Sequence, residues 1–137
     1  MLIYTDGGAR GNPGPAACAF VATDESGAII YQQGFYLGVT TNNQAEYQAV
    51  IEALKWLSLQ TTKDQQLTAN FYLDSQLVVN QLKGLFKIKD PNLKIKYLEI
   101  KKLIANSQLL IANFTYIPRE QNSAADRLVN QTLDKTS

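Results

Sequence analysis

Between Leu37 and Ala45 the apolar residues change their spacing, and this constrains the fold more than any other feature of the chain. Before that point, Leu2–Thr5 reads as a short apolar strand. Ala16–Thr23 and Ala28–Leu37 read as longer strands rich in Val, Ile, Phe and Tyr. The four residues between them, Asp24–Gly27, have turn composition and predict an antiparallel hairpin. From Thr41 onward, Ala45, Glu46, Ala49, Val50, Ala53, Leu54 and Leu57 recur at helical spacing, with Asn43 and Glu46 in the form of an N-terminal capping pair. Leu67–Leu73 is a buried strand that stops at Asp74-Ser75. A short helix follows over Gln76–Lys83, with Ser75 as cap and Gly84 as stop. Leu93, Tyr97, Ile100 and Ile104 mark a further helix, Leu109–Ile117 a strand ended by Pro118, and Ala125, Leu128, Val129 and Leu133 the inner face of a helix from about Ser123. Three strands, then helix, strand, helix, helix, strand and helix predict an α/β chain with a mixed sheet and helices packed against it.

The 137 residues are expected to form a single domain over 1–137, and 45% apolar with 18% charged residues is an ordinary globular balance. The net charge of +1 identifies no partner. The lone cysteine, Cys18, sits in an apolar run and reads as a small buried hydrophobe. There is no signal-peptide pattern and no apolar stretch long enough to span a bilayer, so the expected place is the cytoplasm, without a membrane partner. There is no histidine. That removes Ser-His-Asp and Cys-His nucleophile systems and the usual zinc sites, and leaves carboxylates to carry acid-base or metal chemistry.

Four carboxylates stand where such chemistry would need them. Asp6 and Asp74 each follow an apolar strand and precede a break, and ligands of open α/β sheets bind outside strand ends. As parallel neighbours their strands would lie ~4.8 Å apart, with both acids facing one crevice. Glu46 lies on the apolar face of its helix and Asp126 in the first turn of the last one, although both also suit a cap or the helix dipole. Asp6-Gly7-Gly8 in turn suits a plain turn as well as a site. Acids brought together repel unless a cation compensates, and oxygen-only ligands point to Mg²⁺ or Mn²⁺. Two such ions ~3.5–4 Å apart can activate a water and stabilise the leaving oxygen of a phosphodiester.

The segments YTDGGARGNPGPAACAF, TTNNQAEYQAVIEAL, YLDSQLVVNQLKG and IPREQNSAADRLVN resemble the four signature segments of type 1 ribonuclease H, in order and over nearly the whole chain. The resemblance implies a ribonuclease H-like fold, a five-stranded mixed sheet flanked by helices. It also implies cleavage of the RNA strand of an RNA–DNA hybrid to 5′-phosphate and 3′-hydroxyl ends, with two Mg²⁺ or Mn²⁺ ions. By the same resemblance, Asp6, Glu46, Asp74 and Asp126 match the catalytic, metal-binding acids. Gly7, Gly8 and Asn12 fall in the loop that approaches the RNA backbone, and Asn42, Asn43 and Gln44 in the segment that reaches the minor groove and 2′-hydroxyls. Thr41 and Asn92 match positions that hold a phosphate of the DNA strand.

Three departures stand out. The histidine that many relatives carry before the last acid is missing, leaving Arg119 and Glu120 as the nearest candidates for its part. Val39 stands where relatives place a phosphate-contacting arginine, and a long basic protrusion is absent. Seven of the thirteen positive charges fall in Lys83–Lys102 against only Asp90 and Glu99. That is a solvated face, or, beside a nucleic-acid cleft, a set of phosphate contacts that would include Lys87, Lys89 and Lys94, with Arg119 nearby. The rival readings are a catalytically silent hybrid-binding module and a 3′–5′ exonuclease on a related fold. The expected assembly is a monomer.

Overall fold

The computed structural model describes residues 1–61, 66–107 and 109–136. Its elements are strands β1 (Leu2–Ala9), β2 (Gly14–Thr23) and β3 (Ile29–Thr40), helix α1 (Asn42–Gln60), strand β4 (Leu67–Leu73), helices α2 (Gln76–Leu82) and α3 (Pro91–Ala105), strand β5 (Leu109–Tyr116) and helix α4 (Ser123–Thr136). A single 3₁₀ turn, Arg119–Gln121, precedes α4. The strands form one mixed sheet in the order β3-β2-β1-β4-β5, with β1–β2 and β2–β3 antiparallel and β1–β4 and β4–β5 parallel. This is the fold class that the change of apolar period predicts.

Two local expectations are corrected. β1 does not stop before Asp6: it runs on through Asp6, Gly7 and Gly8 to Ala9, paired with Ala19, Cys18, Ala17 and Ala16 of β2. Neither glycine has a positive φ; the reversal comes later, at Gly11 (φ 95°). Asp-Gly-Gly has turn composition, but the antiparallel ladder with the small residues of β2 carries the strand straight through it. The second correction is at α1, whose cap is Thr41 rather than Asn43. The Thr41 hydroxyl accepts from the Gln44 N–H at 3.2 Å, which frees Glu46 from capping.

The larger core lies on the sheet face covered by α1, α2 and α3, where Ile3, Phe20 and Phe71 meet Tyr47, Val50, Ile51, Leu54, Leu57 and Ile100. The other face is closed more thinly by α4, whose Val129 and Leu133 pack on Ala17 and Ala19, with half-buried Leu128 beside them. Cys18 is fully buried between these layers, as its apolar surroundings predict. Among the described residues no helix is long and apolar enough to cross a membrane.

Candidate active site

The parallel ladder between β1 and β4 pairs Leu2 with Asn70, Ile3 with Phe71 and Tyr4 with Tyr72, and stops there. Carried two residues further, the same register sets Asp6 opposite Asp74. The two acids are thus level where the strands part. Side chains alternate along β1, so Asp6 and Gly8 face the α4 side while Thr5 and Gly7 face α1. A Cβ on Gly7 would run into the backbone of Ala45 and Glu46. This close approach brings Glu46 beside the strand, and its carboxyl meets Asp6 there. The glycine that reads as a turn residue is therefore a packing residue. At Gly8, by contrast, the nearest atom to an added Cβ is Asn42 Oδ1 at 3.9 Å, and the space above it opens into the cavity.

Among the described residues, one carboxylate oxygen each from Asp6, Glu46 and Asp74 lie within 4.8 Å of one another. Asp6 and Glu46 are buried and Asp74 half-buried. At that separation two like charges repel by about 3 kcal/mol for an effective dielectric near 20, so the three do not coexist fully ionised without a cation. Burial, then the charges of Asp74 and Asp126, push Asp6 up to about 8 against the opposing Gly7 N–H and Arg119. Glu46 is raised well above its usual range by burial first, then by Asp6 and Asp74. Asp74 is raised by burial, with the Asn122 amide opposing. The Glu46 Oε2 is buried and, among the described residues, has no hydrogen-bond partner. An oxygen-only cluster with an orphaned buried acceptor and unrelieved repulsion suits a hard divalent cation.

Asp126 lies outside this triad but lines the same cavity of about 340 Å³. Its Oδ1 is 3.5 Å from an exposed Arg119 Nη2, so Arg119 stands at the acidic end of the cavity, within reach of an anion there. The expected nucleic-acid contacts divide into two groups. Asn42 accepts from Ala9 N–H through Oδ1 at 2.8 Å, and its own N–H donates to Asn12 Oδ1 at 2.9 Å, so these two side chains fasten the β1–β2 loop to the start of α1. Among the described residues their Nδ2 groups make no hydrogen bond and remain donors. Asn43 is exposed, and Gln44 accepts from the Thr40 hydroxyl at 2.9 Å. Asn92, Lys87, Lys89 and Lys94 are exposed on the α2–α3 connection and the first turn of α3, away from the cavity lining.

Sequence reasoning missed Asn122. It is buried, and its Nδ2 donates to the Thr5 carbonyl at 2.8 Å and to Asp74 Oδ2 at 3.1 Å. It closes the gap where the β1–β4 ladder ends and orients one of the three acids. Arg10 was missed as well: it lines the far end of the cavity and pairs with Asp134 of α4 at 2.7 Å.

A family model described as reverse transcriptase-like matches residues 4–132. LC11-RNase H1, whose crystal structure holds an RNA/DNA hybrid, superposes with a TM-score of 0.91 at 44% identity, covering 98% of this chain and 97% of that one. The chain belongs to the type 1 ribonuclease H family. RNase H1 of the halophilic archaeon Halobacterium salinarum NRC-1 superposes with a TM-score of 0.87 at 37% identity, over 98% and 97% of the two chains. Against the curated ribonuclease HI of Halobacterium salinarum, identity is 40% over 131 residues, 96% of this chain and 63% of that protein. The chain spans a smaller share, 35%, of a bifunctional protein of Mycobacterium tuberculosis to which it is 37% identical. Family membership and the triad together indicate use of a divalent metal.

Proposed function

We propose that this chain, as a single ribonuclease H domain over 1–137, is a metal-dependent endonuclease that hydrolyses the RNA strand of RNA–DNA hybrids, leaving 5′-phosphate and 3′-hydroxyl ends. The observation that carries this reading is the triad Asp6, Glu46 and Asp74 within 4.8 Å, in a chain that superposes almost end to end on an RNase H1 solved with a hybrid. Asp6, Glu46, Asp74 and Asp126 would hold two Mg²⁺ or Mn²⁺ ions. Such ions supply an activated water and stabilisation of the leaving oxygen.

The remaining residues bind and orient. Asn122 fixes the rotamer of Asp74, and the Gly7 N–H restrains the Asp6 and Glu46 carboxyls. Gly8, with no side chain over the cavity, admits a sugar-phosphate backbone. Asn12, Asn42, Asn43 and Gln44 present amide donors and acceptors suited to 2′-hydroxyls, the group that separates RNA from DNA. Thr41 and Asn92 would hold the uncut strand, and Lys87, Lys89 and Lys94 its phosphates. All four acids come from one chain, so the site needs no residue from a second copy, and a monomer is the working form we adopt.

A 5′-labelled hybrid incubated with Mg²⁺ tests the reading. Internal RNA cuts with 3′-hydroxyl ends are expected, with duplex DNA intact. Binding without cutting would favour the silent module, and a ladder retreating from the 3′ end would favour the exonuclease.

A further inference from the structure

At the end of the cavity remote from the acids, one arginine is held with unusual care. The loop after β1 is pinned at its base by the Arg10 N–H donating to the Pro15 carbonyl at 2.8 Å, and at its tip by Asn12 accepting from the Asn42 N–H at 2.9 Å. A Cβ on Gly14 would collide with the Arg10 carbonyl, so the loop is also closely packed on itself. From this loop the Arg10 Nη2 donates to Asp134 Oδ1 at 2.7 Å and to the Asn130 carbonyl at 3.4 Å. Among the described residues its Nε and Nη1 make no hydrogen bond, and the side chain is 45% exposed. An ion pair this open contributes little to stability. What it does fix is direction: the guanidinium keeps donors to offer while lining the same cavity as the acids.

Two independent rulers give its distance from them. From Asp6 to Arg10 is four residues of extended chain, about 13 Å at the strand rise. From Asp126 to Asp134 is eight residues of α4, about 12 Å at the helix rise. Strand and helix thus form two walls of one trough, with the acids and Arg119 at one end and the Arg10–Asp134 pair at the other. A strand lying in it would pass the apolar side chains of Val129 and Leu133 between the two ends.

We infer that Arg10 contacts a backbone phosphate of the cleaved strand a few nucleotides from the scissile one, with Asp134 as its positioning partner. The inference rests on the function proposed above and adds to it a second anchor on the same strand. It makes the site read a length of strand, not one phosphodiester.

The test compares parent, Arg10→Gln and Arg10→Lys on hybrids carrying one neutral methylphosphonate, moved one position at a time on either side of a single cut site. For Arg10→Gln, KM should rise roughly three- to tenfold and the slope of log affinity against log salt should fall by about 0.9, with kcat and melting temperature close to the parent. Arg10→Lys should restore the salt slope. At one position, the methylphosphonate that weakens the parent should have no further effect on Arg10→Gln. Unchanged KM and slope in Arg10→Gln, or losses that add at every position, would overturn the inference. The same binding series in Ca²⁺ keeps the two claims apart. A parent that binds the hybrid in Ca²⁺ but does not cut it when Mg²⁺ is supplied removes the catalytic reading, while the coupling between Arg10 and one phosphate is still measured. A parent that does not bind the hybrid removes both.

Discussion

Asp6 sits under heavy electrostatic strain. Its carboxyl ordinarily titrates near 3.8, and burial followed by the charges of Asp74 and Asp126 moves it to about 8. A folded-state value above the unfolded one means that the folded chain holds the extra proton. Its stabilising contribution is therefore complete below about pH 4 and is lost as pH rises toward 8. Metal-free protein should melt at progressively lower temperature across that window, and saturating Mg²⁺ should flatten the trend; a pH-independent melting temperature without metal would contradict the cluster's charge state. Asp74→Asn removes one source of repulsion while keeping an acceptor for Asn122. It should abolish cleavage yet raise the metal-free melting temperature at pH 8, at about 4 °C for each kcal/mol relieved in a chain of this length. A folded Asp74→Asn protein with parental activity at saturating Mg²⁺ would remove Asp74 from the catalytic set.

The junction of β1 with α1 shows how elements set the site. Gly7→Ala pushes a methyl group into the Ala45 and Glu46 backbone, so about 1–3 kcal/mol of stability and most activity should be lost together. Gly8→Ala meets nothing closer than 3.9 Å, so it should melt like the parent and raise KM for the hybrid. Equal behaviour of the two variants in melting experiments would contradict this division of labour. The order and type of elements were legible in the sequence because each apolar segment keeps one period and ends at a residue that stops it, such as Gly84 or Pro118. The continuation of β1 was not, because Asp-Gly-Gly has the same composition whether it turns or is held straight by β2. All four acids were legible as candidates, from strand ends, one helix face and the first turn of the last helix. The part played by Asn122 was not, since its partners lie 117 and 48 residues away and an Asn before a helix suits a simple cap.

On the scale of the whole molecule the charge is nearly balanced, and its arrangement decides what it can do. If the exposed Lys87, Lys89 and Lys94 meet phosphates, replacing all three with Gln should flatten the salt dependence of hybrid binding by up to about 0.9 per contact and raise KM, leaving kcat near the parent. An unaltered slope would make them a solvated face. The two sides of the sheet are also unequal. Large aromatic and aliphatic side chains fill the α1 side, whereas α4 rests on Ala17 and Ala19 through Val129 and Leu133. Contacts lighter than those of α1 should let α4 open locally at a lower free energy than α1. Its amides should exchange with deuterium ahead of those of α1 and β1. Because Asp126 lies in this helix and Asn122 directly precedes it, each such opening would dismantle the catalytic end of the cavity while the sheet stays intact. On warming, activity should fade several degrees before the circular dichroism of the sheet changes: the protein would lose its trade before its shape.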